Sequence, residues 1–183
     1  MTSHTVRMHV LDGAVVRLEP QVAEHAEGMF AVLSDPAMYE HENEPPPSVE
    51  WLNERFRMLE SRRSPDGTEH WLNWVVRVPS SELVGYVQAT VYESRRADIA
   101  YVLNSRYWGK GLATAAVERM ISELVSGYDV TTLSAVLKST NRRSRRLLER
   151  LGFSIASEAQ CRALEIEPDE LLMVRPAVVW SVP

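Results

Sequence analysis

Apolar residues recur along the chain with a period that changes several times, and each change predicts an element. Residues 1–13 carry no clear period and read as a loose arm, whereas Ala14–Leu18 alternates weakly like a first strand that Pro20 closes. From Gln21 to Leu33, the residues Val22, Ala26, Met29, Phe30 and Leu33 return at helical spacing until Asp35-Pro36 stops them. A second helix starts behind Ser48, a residue suited to an N-cap, and Trp51, Leu52, Arg55, Phe56 and Leu59 carry it to about Arg62. The connection between these helices is acidic and stiff, with Glu40, Glu42 and Glu44 followed by Pro45–Pro47.

The middle of the chain alternates with period two over His70–Val78, Leu83–Tyr92 and Ala97–Leu103, which predicts three antiparallel strands. A wide apolar stripe over Lys110–Val125 predicts a packed helix, stopped by Gly127. Then follow a β-branched strand at Thr131–Leu137, a short helix at Asn141–Arg150 closed by Gly152, and strands at Phe153–Ala159 and Leu171–Val179. This order predicts an α+β fold with a mixed, mostly antiparallel central sheet flanked by helices, as a single domain over residues 1–183. A right-handed crossover is expected between Ala97 and Leu137.

Composition narrows the function classes. A formal charge of -5 and a hydrophobic content of 45% fit a globular domain with a real core and speak against a broad basic face for nucleic acid. Cys161 is the only cysteine, no signal-like segment opens the chain, and no apolar run reaches the roughly 20 residues of a membrane span. A soluble, cytoplasmic protein without nucleic-acid or membrane partners is expected. The five histidines include no pair at metal-binding spacing, so no metal is expected.

The sharpest chemical feature is a strand that runs into Arg106-Tyr107-Trp108-Gly109-Lys110-Gly111, with a helix beginning inside the turn. Unpaired N–H groups and the positive end of a helix dipole then face one small space, and Gly109 and Gly111 leave room for a phosphate beside Lys110. A P-loop is excluded by Asn104 and Gly111 at its glycine and Ser/Thr positions, and a dinucleotide fingerprint by Thr114 in place of its third glycine. Taken alone, the glycines fit equally well a role that only shapes the turn.

The pattern Arg106-x-x-Gly109-x-Gly111 behind Ala97–Tyr101, together with Asn141-x-x-Ser144, Leu147 and Leu151-Gly152-Phe153, resembles the coenzyme-binding segments of the GNAT acetyltransferase superfamily. Within it, Tyr107–Gly111 with Asn141 and Ser144 looks most like the branch that acetylates ribosomal-protein N-termini. The resemblance implies a GNAT-like sheet and an acetyl-CoA-dependent N-acetyltransferase that moves an acetyl group to a primary amine in a ternary complex. The amine would belong to a peptide N-terminus or a small cationic molecule. It implies that Tyr101, Val102 and Leu103 offer backbone to the pantetheine arm, and that Arg106, Gly109, Lys110, Gly111, Ala113 and Thr114 hold the pyrophosphate. Asn141 would reach the pantetheine amides or cap its helix; because Leu148 stands where many members carry a tyrosine acid, Ser144 would donate a proton or hydrogen bond to the departing thiolate, or an ordered water would do so and Ser144 would be a solvated helix residue. Asp98 is either a base for the amine or a carboxylate paired with Arg95 or Arg96.

Glu40 and Glu42 in the acidic connection, with Glu44, either border the acceptor site or form a solvated loop, and Trp74 and Tyr92 on the central strands, with Trp71 and Tyr86, either wall an acceptor pocket or pack the core. The run Arg142, Arg143, Arg145, Arg146 reads as a solvated face or as a contact for the coenzyme 3′-phosphate. The opposing functional class is a non-catalytic coenzyme sensor or interaction module on the same fold. A homodimer is compatible with an exposed apolar strand or helix.

Overall fold

The computed structural model describes residues 7–41 and 43–177. Eight strands form one sheet in the order β1-β2-β3-β4-β5-β6-β8-β7: Leu11–Asp12 (β1), Arg17–Pro20 (β2), Glu69–Arg77 (β3), Leu83–Tyr92 (β4), Arg96–Leu103 (β5), Thr132–Lys138 (β6), Ser154–Ile155 (β7) and Glu170–Pro176 (β8). Every neighbouring pair is antiparallel except β5 and β6, which the intervening helix forces to run parallel. The mixed, mostly antiparallel sheet expected from the chain's periods is therefore the one observed. Five helices join it: Ala26–Leu33 (α1), Val49–Leu59 (α2), Leu112–Gly127 (α3), Arg142–Arg150 (α4) and Glu158–Ala163 (α5).

Alternation along the strands sorts side chains onto two faces. Leu72, Trp74, Val76, Val87, Ala89, Val91, Ala97, Ile99 and Leu103 share a core with Ala116, Val117, Met120, Ile121 and Leu124 of α3 and with Leu147 and Leu148 of α4. Each buried valine, leucine, isoleucine or methionine among them contributes about 1.5–3 kcal/mol of transfer free energy. On the opposite face, α1 and α2 set Met29, Leu33, Leu52 and Phe56 on Val75, with Tyr86 and Val102 packed alongside. These two helices cover only one end of that face, so Gln88 and Ala100 stay exposed beside it. At that end β4 and β5 approach closely: a Cβ on Gly85 would lie 2.0 Å from the Val102 carbonyl oxygen, which only glycine avoids.

Several local expectations need correction. The arm is not loose throughout, because Leu11 pairs with Leu18 and is drawn into the core, extending the sheet by β1. The first helix breaks into a 3-10 turn, Ala23–His25, before α1. Trp51 does not lie on the buried side of α2, where Leu52 and Phe56 do the packing; it is 51% exposed. The strand expected over Phe153–Ala159 shrinks to the two residues of β7, and α5 follows it. This helix buries none of its residues and rests on a Ser157–Gln160 capping box, so no apolar stripe announces it. Residues 1–6 of the arm and the end of the last expected strand, Val178 and Val179, lie outside the described residues.

Candidate active site

Two strands that start as partners and then part create the site. β5 and β6 share a ladder only at Arg96–Thr132, Ala97–Leu133 and Asp98–Ser134. Beyond Asp98, the β6-facing edge of β5 has no ladder partner among the described residues, while its other edge remains paired with β4 up to Leu103. Apart from the Leu103 carbonyl, which accepts from Trp108 Nε1, the backbone groups of the Ile99–Leu103 stretch on that edge are thus left to bond a ligand. A narrow cleft of about 130 Å³ opens there, lined by Tyr101, Val102, Leu103, Trp108, Ala113, Asn141, Ser144 and Leu147, with Met38, His41 and Asn43 above.

The turn after β5 is held from below. Asn104 Oδ1 accepts from Arg106 N, its Nδ2 donates to the Val32 carbonyl at 3.0 Å, and Trp108 Nε1 donates to the Leu103 carbonyl at 2.8 Å. Hydrogen bonds from the Ser105 side chain and backbone hold the Asp35 carboxyl below the usual carboxylate range. Gly109 and Gly111 have φ of 73° and 76°, a left-handed conformation that favours glycine, and nothing lies within 4 Å of where a Cβ would stand. The first helical bond of α3 runs from Ala115 N to the Gly111 carbonyl, so the N–H groups of Leu112, Ala113 and Thr114 precede it and face outward at the positive end of the helix.

A larger cleft of about 900 Å³ continues from there between the start of α3 and α4. Gly109, Gly111, Ala113 and Thr114 line one wall, and Arg143, Arg146 and Arg150 the other. Arg143 stacks on the Trp108 ring, 3.5 Å from its centroid, and joins the two clefts. Backbone donors, bare glycines and three guanidinium groups in one cleft fit a nucleotide diphosphate with a further phosphate, which is the chemistry of a coenzyme A head group.

Asn141 caps α4, its Oδ1 accepting from Ser144 N at 3.1 Å, and the residue also lines the narrow cleft. Ser144 Oγ donates to Tyr101 Oη at 3.0 Å, and Tyr101 Oη donates to the Ser144 carbonyl at 3.2 Å. Burial pushes the Tyr101 phenol up to about 12, opposed by its hydrogen bond with Ser144, so this hydroxyl stays protonated at neutral pH. Leu148 is a core residue, 1% exposed.

A third cleft, about 310 Å³, lies under α2 on the partly bare face and meets the narrow one at Met38, Asn43 and Val102. Gln21, Glu44, Trp51, Arg55, Asn73, Tyr86 and Gln88 are among its lining residues.

Other expected site residues fall elsewhere. Trp74 points to the α3 side of the sheet, wholly buried with Nε1 donating to the His9 carbonyl, and so packs the core rather than an acceptor pocket. Tyr92 lies on the open face but lines none of the clefts; its hydroxyl donates to Asp98 Oδ2 at 2.7 Å under the Arg96 guanidinium. Asp98 also accepts from Ser134 Oγ and pairs with Arg96 at 3.3 Å, so three neighbours occupy it at the closed end of the strand gap. It is not brought to Ser144. Glu40 is exposed beside His41, and the acidic connection presents Glu44 to the cleft instead. Glu42 lies outside the described residues. Arg106 turns to a hollow shared with Gly28, Arg77 and Leu83, away from the glycines. Lys110 sits over the Tyr107 ring at 5.3 Å, at the margin of the glycine turn.

Residues missed by the sequence reading include Arg150, Gln21, Asn73 and Gln88. Arg143, Arg146 and Arg150, spaced three and four apart, share one helix face, a signal that was present in the chain. The amides gave none, because their strands alternate alike on both faces. Among the described residues, no helix is long and apolar enough to cross a membrane.

Residues 16–154 match the acetyltransferase (GNAT) domain family. The chain is 26% identical over 134 residues to YoaA of Bacillus subtilis (strain 168), an uncharacterised N-acetyltransferase, covering 70% of this chain and 73% of that one. Its fold is similar to that of a RimL ribosomal α-N-protein acetyltransferase in complex with coenzyme A, with TM-score 0.76, 14% identity and coverage of 92% and 98% of the two chains. It is also similar to that of ribosomal-protein-S5-alanine acetyltransferase from Vibrio fischeri, with TM-score 0.74, 16% identity and coverage of 96% and 100%.

Proposed function

The chain belongs to the GNAT acetyltransferase family, and from that premise we propose that it moves an acetyl group from acetyl-CoA to a primary amine by direct attack in a ternary complex. The observation that carries this reading is the parting of β5 from β6 after Asp98, with the free strand edge leading into the Gly109–Gly111 turn. Acetyl-CoA supplies an activated acetyl group as a thioester. The amine nitrogen forms a bond to the acetyl carbon, the carbon–sulfur bond breaks, the amine gives up a proton and the thiolate takes one up.

The residues divide this work. The N–H groups of Leu112–Thr114 and the guanidinium groups of Arg143, Arg146 and Arg150 bind phosphate, while β5 and Asn141 hold the arm. The Ser144 hydroxyl, braced by Tyr101, turns to donate a hydrogen bond to the departing thiolate, which takes its proton from solvent; a thiol pKa of about 8.5 makes it a fair leaving group without a strong acid. Asp98, held by Tyr92, Ser134 and Arg96, suits an organising role at the base of the strand gap better than that of a free base. The amine then loses its proton to water in the adjoining cleft, which lies open to solvent beside the exposed Gln88.

The test is calorimetric titration with acetyl-CoA followed by thiol release with a panel of primary amines. Micromolar binding and amine-dependent thiol release are expected. Absence of binding overturns the reading; binding without release for any amine removes the catalytic half of it.

A further inference from the structure

Gln21, directly after β2, and Asn73, Gln88 and Ala100 on the three adjacent strands β3, β4 and β5 stand side by side on the open face of the sheet. Gln21 N donates to the Asn73 carbonyl at 2.9 Å, Asn73 pairs with Gln88, and Gln88 pairs with Ala100 at the strand gap. Strands about 4.8 Å apart make this row about 14 Å long. The three amides line the third cleft, and Gln21 at its floor is 3% exposed with Nε2 lacking any acceptor among the described residues. A buried donor without a partner is an uncommon feature that an oxygen-bearing ligand would complete.

The cleft is also polarised. Glu44 follows Asn43, which lines both this cleft and the narrow one where the acetyl group would lie. Arg55 lines the other end, shared with a hollow beside Trp71 and Thr90. Glu54 and Asn53 next to it are both taken by Arg57, and Arg55 makes no ion pair or side-chain hydrogen bond among the described residues. A negative group therefore stands toward the reacting end and an unneutralised guanidinium away from it.

We infer that the acceptor carries a carboxylate on its tail as well as the reacting amine, with the amine toward Glu44, the carboxylate on Arg55, and the Gln88–Asn73–Gln21 amides binding the polar groups between. This rests on the acetyltransferase reading. A planar guanidinium matches a carboxylate geometrically, and its charge repels the distal ammonium of a polyamine. The carboxylate belongs either to the C-terminus of a short peptide or amino acid, or to an acidic side chain near a protein N-terminus. Both satisfy the same contacts.

The experiment compares acceptors sharing an N-terminal alanine in the thiol-release assay: alanylglycine free acid, alanyl-glutamic acid α-amide with its side-chain carboxylate free, alanylglutamine amide and alanyl-lysine amide. At least one of the two carboxylates is expected to exceed the neutral and cationic amides about tenfold in kcat/KM, with which of the two identifying the source. Arg55→Gln and, independently, Arg55→Ala should bring that ratio close to one, while circular dichroism shows an unchanged fold. A neutral or cationic amide preferred over both carboxylates, or a preference that survives both variants, overturns the inference. Acetyl-CoA titration on the same samples separates the failures: binding retained with no carboxylate preference removes this inference alone, and binding absent removes the acetyltransferase reading with it.

Discussion

Ser144 and Tyr101 lock each other, serine hydroxyl to phenol at 3.0 Å and phenol to serine carbonyl at 3.2 Å, across the junction between α4 and β5. The pair puts a hydroxyl at the narrow cleft while Leu148, where many family members carry a tyrosine, is committed to packing. Removing the Ser144 hydroxyl by Ser144→Ala is expected to lower kcat by about ten- to a hundredfold with the acetyl-CoA KM nearly unchanged. Tyr101→Phe should lower kcat less, and the double variant should fall short of the product of the two single losses because the hydroxyls act as a unit. Steady-state rates across pH 6 to 9 check this; an unchanged kcat for Ser144→Ala at every pH removes its role.

Gly109 separates backbone conformation from ligand room. Its φ of 73° costs an alanine roughly 1–2 kcal/mol, but open space surrounds the missing Cβ. Gly109→Ala is therefore expected to lower stability while keeping acetyl-CoA affinity within a few-fold. Gly109→Glu adds a negative charge where phosphates would lie and should cost at least about tenfold in affinity. Calorimetry on the two variants distinguishes them.

Arg146 and Arg150 lie on the larger cleft with no ion pair among the described residues, in contrast to Arg145, which Glu149 occupies at 2.8 Å. Alanine at both positions should weaken coenzyme A binding about tenfold. It should also shrink the affinity difference between coenzyme A and the form lacking its 3′-phosphate. Arg145→Ala serves as the control and should change neither.

Glu19 and Arg77 form a two-pronged pair between β2 and β3, at 2.8 and 2.9 Å. The hydrogen bonds from Arg77 hold the Glu19 carboxyl below its ordinary value of 4.5, against the opposing effect of burial. A depressed carboxyl pKa means stability that is fully present above the unfolded value and lost as pH falls through the folded one. Glu19→Gln should thus cost about 1–2 kcal/mol at pH 7 and progressively less below pH 4.5. Urea unfolding at pH 7 and pH 3.5 measures the difference.

Much of this protein was determined by local sequence. The central strands, the caps at Ser48 and Asn141, and the glycine turn at 109 and 111 follow from period and backbone chemistry within a few residues, so they could be read without any partner. Tertiary structure decided what alternation cannot express. A period of two states that Asn73 and Trp74 face opposite ways, but only the placement of α3 and of α1 with α2 made one side the core and left the other open. The same non-local choice turned Arg106 away from the glycine turn and presented Glu44 rather than Glu40. The gap between β5 and β6 is of this kind too: it depends on how far two strands whose paired residues stand about 36 positions apart, Asp98 with Ser134 the last of them, remain in register, and no single segment carries that information.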